Sequence, residues 1–156
     1  MTIDKKIHDP ADVLGFLDVK IAAAGHLTDQ EETLAYRVVT RRPWSARDLR
    51  CSAWIRLEFP TADRSIRVKY RAGQLEATIV TSGGDSMAAA EVWRTNRRTL
   101  YVAAPQASLS DEPAELDWHV TAASPAEPIC TAGAPQAAGP VVAVDRVPDK
   151  GEIAAA

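Results

Sequence analysis

The histidines and cysteines are the residues best suited to acid–base, nucleophilic or metal chemistry, and their spacing favours none of these. His8, His26 and His119 lie far apart, each with an aspartate within three residues. No two histidines have the His-x-x-x-His spacing of a metal site on one helix, and no Cys-x-x-Cys occurs. We therefore predict exposed histidines, in loops and on a strand, and neither a metal nor a cofactor.

Motifs of hydrolytic and nucleotide chemistry are also missing from the sequence. It contains no Gly-x-Ser-x-Gly, no P-loop and no dinucleotide fingerprint. The glycine-rich stretch 82–86 has backbone N–H groups suited to an anion, but such stretches usually only connect two strands. Cys51 occupies an inward position of a predicted strand, where burial favours the neutral thiol over a nucleophilic thiolate. The sequence thus favours a role without catalytic residues.

Three consecutive segments, 50–59, 64–71 and 74–81, alternate apolar and polar residues. A period of two predicts antiparallel strands with one buried face and one face in water. The outward positions are mostly cationic and include a tryptophan, a composition typical of protein interfaces and of surfaces that bind nucleic acid. The candidate partner-binding residues are Arg50, Trp54, Arg56, Arg67, Lys69 and Arg71.

The register of these strands determines which outward side chains meet. Pairing Phe59 with Ile66 keeps the apolar sets of the first two strands aligned. That register sets Trp54 opposite Arg71, where a guanidinium stacked on the indole would contribute about 0.5–1 kcal/mol. A two-residue turn at 72–73 is expected to join the second and third strands.

Further strands are predicted on both sides of this region. They cover residues 15–23, 33–42, 90–95, 99–104 and the vicinity of 116–120, with residues 1–10 peripheral and a break or turn at 25–31. About eight strands joined by short turns are typical of a sandwich or small barrel, and sequential hairpins favour a meander. We predict an all-β fold for residues 1–122, an antiparallel meander forming a small barrel or sandwich. The alternative is α+β, with 29–40 or 86–95 helical.

The C-terminal segment 123–156 has a different composition. Seven of the ten prolines lie between residues 105 and 156, and an Ala/Pro-rich stretch containing Cys130 should be extended. The stretch ends in a short apolar patch that could add a strand to a sheet edge, of this chain or of a partner. The predicted tail-docking residues are Val141, Val142 and Val144.

The net charge of −3 conceals an uneven distribution. Residues 1–34 carry a net −4, residues 35–104 a net +7 and residues 105–156 a net −6. Either the acidic ends neutralise the basic middle, or the middle binds an anionic partner. No export signal and no apolar stretch of about 20 residues is present, so we expect a cytoplasmic protein.

Three functional hypotheses follow from this layout. The leading one is a non-catalytic interaction or structural subunit of a larger assembly, whose basic face contacts an acidic protein surface or another copy of the chain. The second is a small β-barrel enzyme or carrier with an apolar cavity of about 300 Å³ or more. That cavity would be lined by Ile55, Leu57, Val68, Tyr70 and Ile79. The third is a single-stranded nucleic-acid binder, which the acidic overall composition makes less favourable.

Overall fold

The computed structural model describes residues 1–11, 15–50, 53–111, 116–124 and 143–148. Within these ranges, ten antiparallel strands form one sheet that curls into a nearly closed barrel. The strands are β1 (Thr2–His8), β2 (Val19–Leu27), β3 (Gln30–Thr40), β4 (Trp54–Phe59), β5 (Arg64–Arg71), β6 (Gln74–Thr81), β7 (Ser86–Arg94), β8 (Thr99–Pro105), β9 (His119–Ser124) and β10 (Ala143–Val147). Two 3₁₀ helices, Ala46–Leu49 and Pro60–Ala62, and the helix α1, Gln106–Leu109, complete the elements. In the described part of the chain, no helix has the length and apolarity needed to cross a membrane.

The strand order is β1-β2-β3-β8-β7-β6-β5-β4-β9-β10. This confirms the predicted antiparallel all-β fold, and β4 to β8 follow one another as the predicted meander. Two longer connections, 41–53 and 106–118, make β3 a neighbour of β8 and β4 a neighbour of β9. The two segments for which a helix was the alternative form β3 and β7, so that alternative is wrong.

The barrel interior is filled by side chains from the inward parity of the strands. Alternation in β4 buries Ile55, Leu57 and Phe59 completely, while the residues between them stay half-exposed. Tyr36 packs edge-on against Phe59 and Trp118, with ring centroids 5.5 and 5.0 Å apart. Burial raises the pKa of the Tyr36 hydroxyl. The core is thus one packed cluster, as expected of a small barrel.

Most of the residues predicted to line a ligand cavity lie in a packed interior. Ile55, Leu57, Val68 and Ile79 have no exposed surface at all, so no space the size of a water molecule lies against them. The fifth predicted lining residue, Tyr70, is half-buried at the edge of the core. Four of the five predicted lining residues therefore face packed side chains and not a cavity.

The predicted register between β4 and β5 is wrong by two residues. Ile66 lies opposite Leu57 and not opposite Phe59. The connection is responsible, because Pro60–Ala62 forms a 3₁₀ turn and Asp63 adopts a left-handed conformation with φ of 55°. By contrast, the two-residue turn predicted at 72–73 is confirmed by the pairing on both sides of it.

The N-terminal region also differs from the prediction. Residues 1–10, expected to be peripheral, contain β1, which pairs with β2. Gly25 lies inside β2, whereas a break was predicted at that position. A Cβ atom at Gly25 would lie 1.8 Å from the carbonyl oxygen of Thr2, so glycine here allows a close approach of β1. The turn comes later, where Asp29 has φ of 66°.

Side-chain hydrogen bonds link the strands at the two margins of the sheet. Asp145 of β10 accepts a hydrogen bond from the Val19 N–H of β2, with an N–O distance of 2.5 Å. The Ser124 hydroxyl accepts another from the Leu17 N–H at 3.3 Å. Strand β10 itself pairs with β9 and leaves Val144 exposed, while 141–142 lie outside the described residues. The C-terminal segment therefore contributes a strand to the chain's own sheet.

Candidate functional site

The basic face is the outer surface of β4 and β5 formed by Trp54, Arg56, Arg67, Lys69 and Arg71. Alternation directs these residues away from the core, and all are half-exposed or exposed. Arg56 and Arg67 lie directly opposite each other on neighbouring strands, a consequence of the two-residue shift in register. Like charges in directly opposed positions destabilise a sheet. The basic face thus holds positive charges so close together that their repulsion lowers the stability of the sheet.

Lys69 shows the effect of this concentration on a titratable group. Its pKa is lowered, first by burial and then by repulsion from Arg71, Arg56 and Arg67. The Nζ atom donates a hydrogen bond to the Ala53 carbonyl oxygen at 3.1 Å. Glu76 of β6 is the directly opposed residue on the other side, as the sequence predicted. Lys69 therefore lies among charges of both signs, with cations in the majority.

Trp54 contacts a different cation from the one predicted. The guanidinium of Arg56 lies 4.7 Å from the centroid of its ring. The expected pairing of Trp54 with Arg71 is wrong, because β4 is shifted along β5. An arginine held on an indole keeps its charge available while its flat face is covered.

Arg50 is separated from the other five candidates. It lies in a bend before β4, and its Nε donates to the Arg47 carbonyl oxygen at 2.9 Å. Its predicted place on the outward face of a strand is wrong, since β4 begins at Trp54. The structure adds Arg146 of β10, which sequence reasoning missed. It lies in the same cross-strand row as Arg56 and Arg67, separated from them by β9.

One acidic group interrupts the basic face. The carboxylate of Glu58 lies 2.5 Å from Nε2 of His119, accepts a hydrogen bond from the Thr121 hydroxyl at 2.9 Å, and is 3.4 Å from Arg56. Burial alone would raise the pKa of Glu58, but these contacts outweigh it and lower the pKa. His119 was predicted to be exposed, and this is wrong, because its side chain is buried beside Glu58.

Two concavities flank Arg67 on this side of the barrel. One, of about 350 Å³, is lined by Arg56, Arg64, Arg67 and His119 and also by the carboxylates of Glu58 and Asp63, among others. The second, of about 380 Å³, includes Arg67, Lys69, Arg71, Glu76 and Thr78. Arg67 thus separates two depressions, each with at least three basic side chains along its wall.

The two remaining histidines lie on β1 and β2, and both cysteines lie outside the described residues. His26 Nδ1 is 2.6 Å from a carboxylate oxygen of Asp4, and His8 is exposed on β1. The inward position predicted for Cys51 and the segment around Cys130 lie outside the described residues.

A cluster of three buried aspartates was not predicted. One carboxylate oxygen from each of Asp9, Asp18 and Asp145 lies within 4.8 Å of the others. Arg41 stands beside them, with its Nε 3.3 Å from Asp18 and its Nη2 donating to the Asp9 carbonyl oxygen. Asp9 and Asp18 lie close together in the sequence, but Asp145 lies far from both on β10, so no spacing could have revealed the cluster. With Asp145 bonded to Val19 and Asp18 to Arg41, the cluster joins the margins of the sheet.

Comparison of the chain with models of protein families, with curated proteins and with solved structures finds no match.

Proposed function

We propose that this chain is a non-catalytic interaction module, a subunit of a larger cytoplasmic assembly, whose basic face binds an acidic segment of another protein. The observation that supports this best is the direct opposition of Arg56 and Arg67, with Lys69 beside them. Like-charged side chains repel one another, and carboxylates placed between them would replace repulsion by attraction.

The shape of the surface suits such a ligand. Carboxylates could enter the concavities on either side of Arg67, where arginine forks can bind them through two parallel hydrogen bonds. Trp54 offers half-exposed aromatic surface at the same face. Tryptophan and arginine are the residues that most often dominate the energy of protein interfaces.

The test compares one reversed pair of charges on the face with a matched pair elsewhere. A poly-glutamate peptide is titrated against the wild-type chain, against Arg56→Glu/Lys69→Glu, and against Arg97→Glu/Arg98→Glu. Losing hydrogen bonds to charged groups, worth about 2 kcal/mol, should weaken binding by the face variant about thirtyfold. The control reverses the same number of charges on an exposed turn and should bind as the wild type does.

The melting temperature shows whether Arg56→Glu/Lys69→Glu is folded, so that its affinity can be compared with that of the wild type. Both substituted side chains point away from the core, so we expect a folded monomer whose assembly with its partner is weakened. Equal affinity of the wild-type chain and the face variant for poly-glutamate would refute the proposal. Stronger binding of an oligonucleotide than of poly-glutamate by this face would replace the protein partner with nucleic acid.

A further inference from the structure

A second group of arginines lies on the segment that follows β3 and on the turn between β7 and β8. The β3 end and Trp44 are held to that turn by hydrogen bonds from the Trp44 N–H to the Arg97 carbonyl and from the Thr40 N–H to the Arg98 carbonyl, both 2.9 Å. These bonds bring together arginines that are some fifty residues apart in sequence. We call Arg42, Arg47, Arg50, Arg94, Arg97 and Arg98 the arginine-rich end.

The arginine-rich end has little negative charge near it. Among the described residues, none of its six arginines forms an ion pair, and five of them are exposed. Asp48 is close, but its carboxylate accepts a hydrogen bond from the Ser45 N–H at 2.6 Å. The pKa of Arg94 is lowered by burial and then by repulsion from Arg97, while Asp48 opposes that shift. Arg94 and Arg97 are thus close enough for their charges to repel each other.

A stacked aromatic pair lies on the two strands that this turn connects. Trp93 and Tyr101 are stacked, with ring planes 6° apart and centroids 5.2 Å apart, and both are half-buried on the outer side of β7 and β8. Arg94 follows Trp93 in the chain and lies over Trp44, 3.7 Å from the ring centroid. Its Nη2 also donates to the Trp44 carbonyl oxygen at 3.0 Å, which fixes the guanidinium in place.

We propose that the arginine-rich end and the Trp93–Tyr101 pair form a binding site for single-stranded nucleic acid. Guanidinium forks match phosphate oxygens, and aromatic rings stack on bases whatever their sequence. A membrane surface fits less well, because the large apolar side chains exposed among the described residues lie elsewhere. Ile3 is on β1, Val144 is on β10, and Met87 is at the start of β7, the end away from Arg94. This site is distinct from the basic face and does not depend on it.

The first experiment measures fluorescence anisotropy of a labelled oligothymidylate of about twelve nucleotides, a length within the usual site size. Contacts of the six arginines with about four phosphates predict that log K falls with log salt with a slope of about −3. Arg97→Glu/Arg98→Glu should weaken binding at least tenfold and reduce that slope. Arg56→Glu/Lys69→Glu is the matched control and should leave both unchanged.

The second experiment separates base stacking from attraction between charges. Trp93→Leu keeps an apolar side chain on β7 but removes the ring, and should weaken oligothymidylate binding about tenfold. An abasic oligonucleotide of the same length should bind the wild type and Trp93→Leu equally. Circular dichroism and the melting temperature show whether each variant is folded.

Three results would overturn this proposal. They are poly-glutamate binding at this end as tight as oligothymidylate binding, anionic vesicles binding more tightly than either, and oligothymidylate affinity unaffected by Arg97→Glu/Arg98→Glu. The same two double variants also test the basic face. Oligothymidylate binding reports on the arginine-rich end and poly-glutamate binding on the basic face, so either proposal can fail without the other.

Discussion

Replacing Asp145 by alanine should open the junction between the margins of the sheet. Asp145 lies on β10 and is buried, and its carboxylate accepts the hydrogen bond from the Val19 N–H of β2. Val19 has no exposed surface, so its N–H group has no contact with bulk water. Asp145→Ala therefore leaves a buried N–H group without an acceptor, whereas Asp145→Asn keeps an oxygen at about the same position.

The size of the effect follows from these contacts. An unsatisfied buried N–H group costs about 1–3 kcal/mol, and a charge-assisted hydrogen bond lies toward the upper part of that range. Removal of one carboxylate from a cluster of three offsets part of this loss, because the other two then repel less. We expect Asp145→Ala to lower the free energy of unfolding by about 2 kcal/mol and Asp145→Asn by less than about 1 kcal/mol.

Urea unfolding at neutral pH, followed by tryptophan fluorescence, measures the difference directly. For a chain of this length, a loss of about 2 kcal/mol corresponds to a fall in melting temperature of about 4–8 °C. Hydrogen exchange should show faster exchange of the Val19 amide in Asp145→Ala than in Asp145→Asn. Equal stability of the two variants would show that the hydrogen bond to Val19 contributes nothing, and the reasoning would fail.

The other predictions concern titratable groups of the basic face and its border. Lys69→Met keeps the aliphatic stem and removes a repelled charge, so the variant should gain stability relative to the wild type at neutral pH. Because the pKa of Lys69 is lowered in the folded state, that gain should shrink as the pH rises toward the ordinary value of 10.5, in urea unfolding at a series of pH values. A gap that stays constant with pH would contradict the repulsion. Glu58→Gln should be less stable than the wild type at neutral pH, because the lowered pKa of Glu58 stabilises the fold above its ordinary value of 4.5. The difference should vanish as the pH falls through the lowered pKa, and its persistence in acid would mean that the charge on Glu58 does not matter.

Local patterns in the sequence predict the strands and their faces well. The alternation in β4, β5 and β6 requires one parity to be buried, and the structure buries that parity. The tight turn at 72–73 also fixes the register of β5 with β6, because two residues leave no freedom in the pairing. The connection between β4 and β5 is longer and contains the 3₁₀ turn Pro60–Ala62. There, alignment of the apolar residues alone predicted a register that is wrong by two residues.

The parts of the candidate sites that sequence reasoning missed depend on contacts between distant segments. His119 has outward parity, yet it is buried beside Glu58, whose carboxylate also accepts a hydrogen bond from Thr121. The arginine-rich end exists only because the β3 end and Trp44 are held to the β7–β8 turn. Periodicity describes one strand at a time, so it could predict the basic face but not how the barrel closes.

The two arginine groups differ in the charges around them, and this difference suggests which polymer each would bind. On the basic face, Glu58 and Glu76 stand among the cations, so a ligand with separated carboxylates fits better than a continuous line of phosphates. At the arginine-rich end, no described carboxylate forms an ion pair with an arginine, and only Asp48 counters the charge of Arg94, so closely spaced phosphates meet less repulsion there. If each double variant loses only its own ligand, the chain has two sites and can join an acidic protein to a nucleic acid. If each loses both ligands, the two arginine groups do not act as separate sites, and both proposals fail.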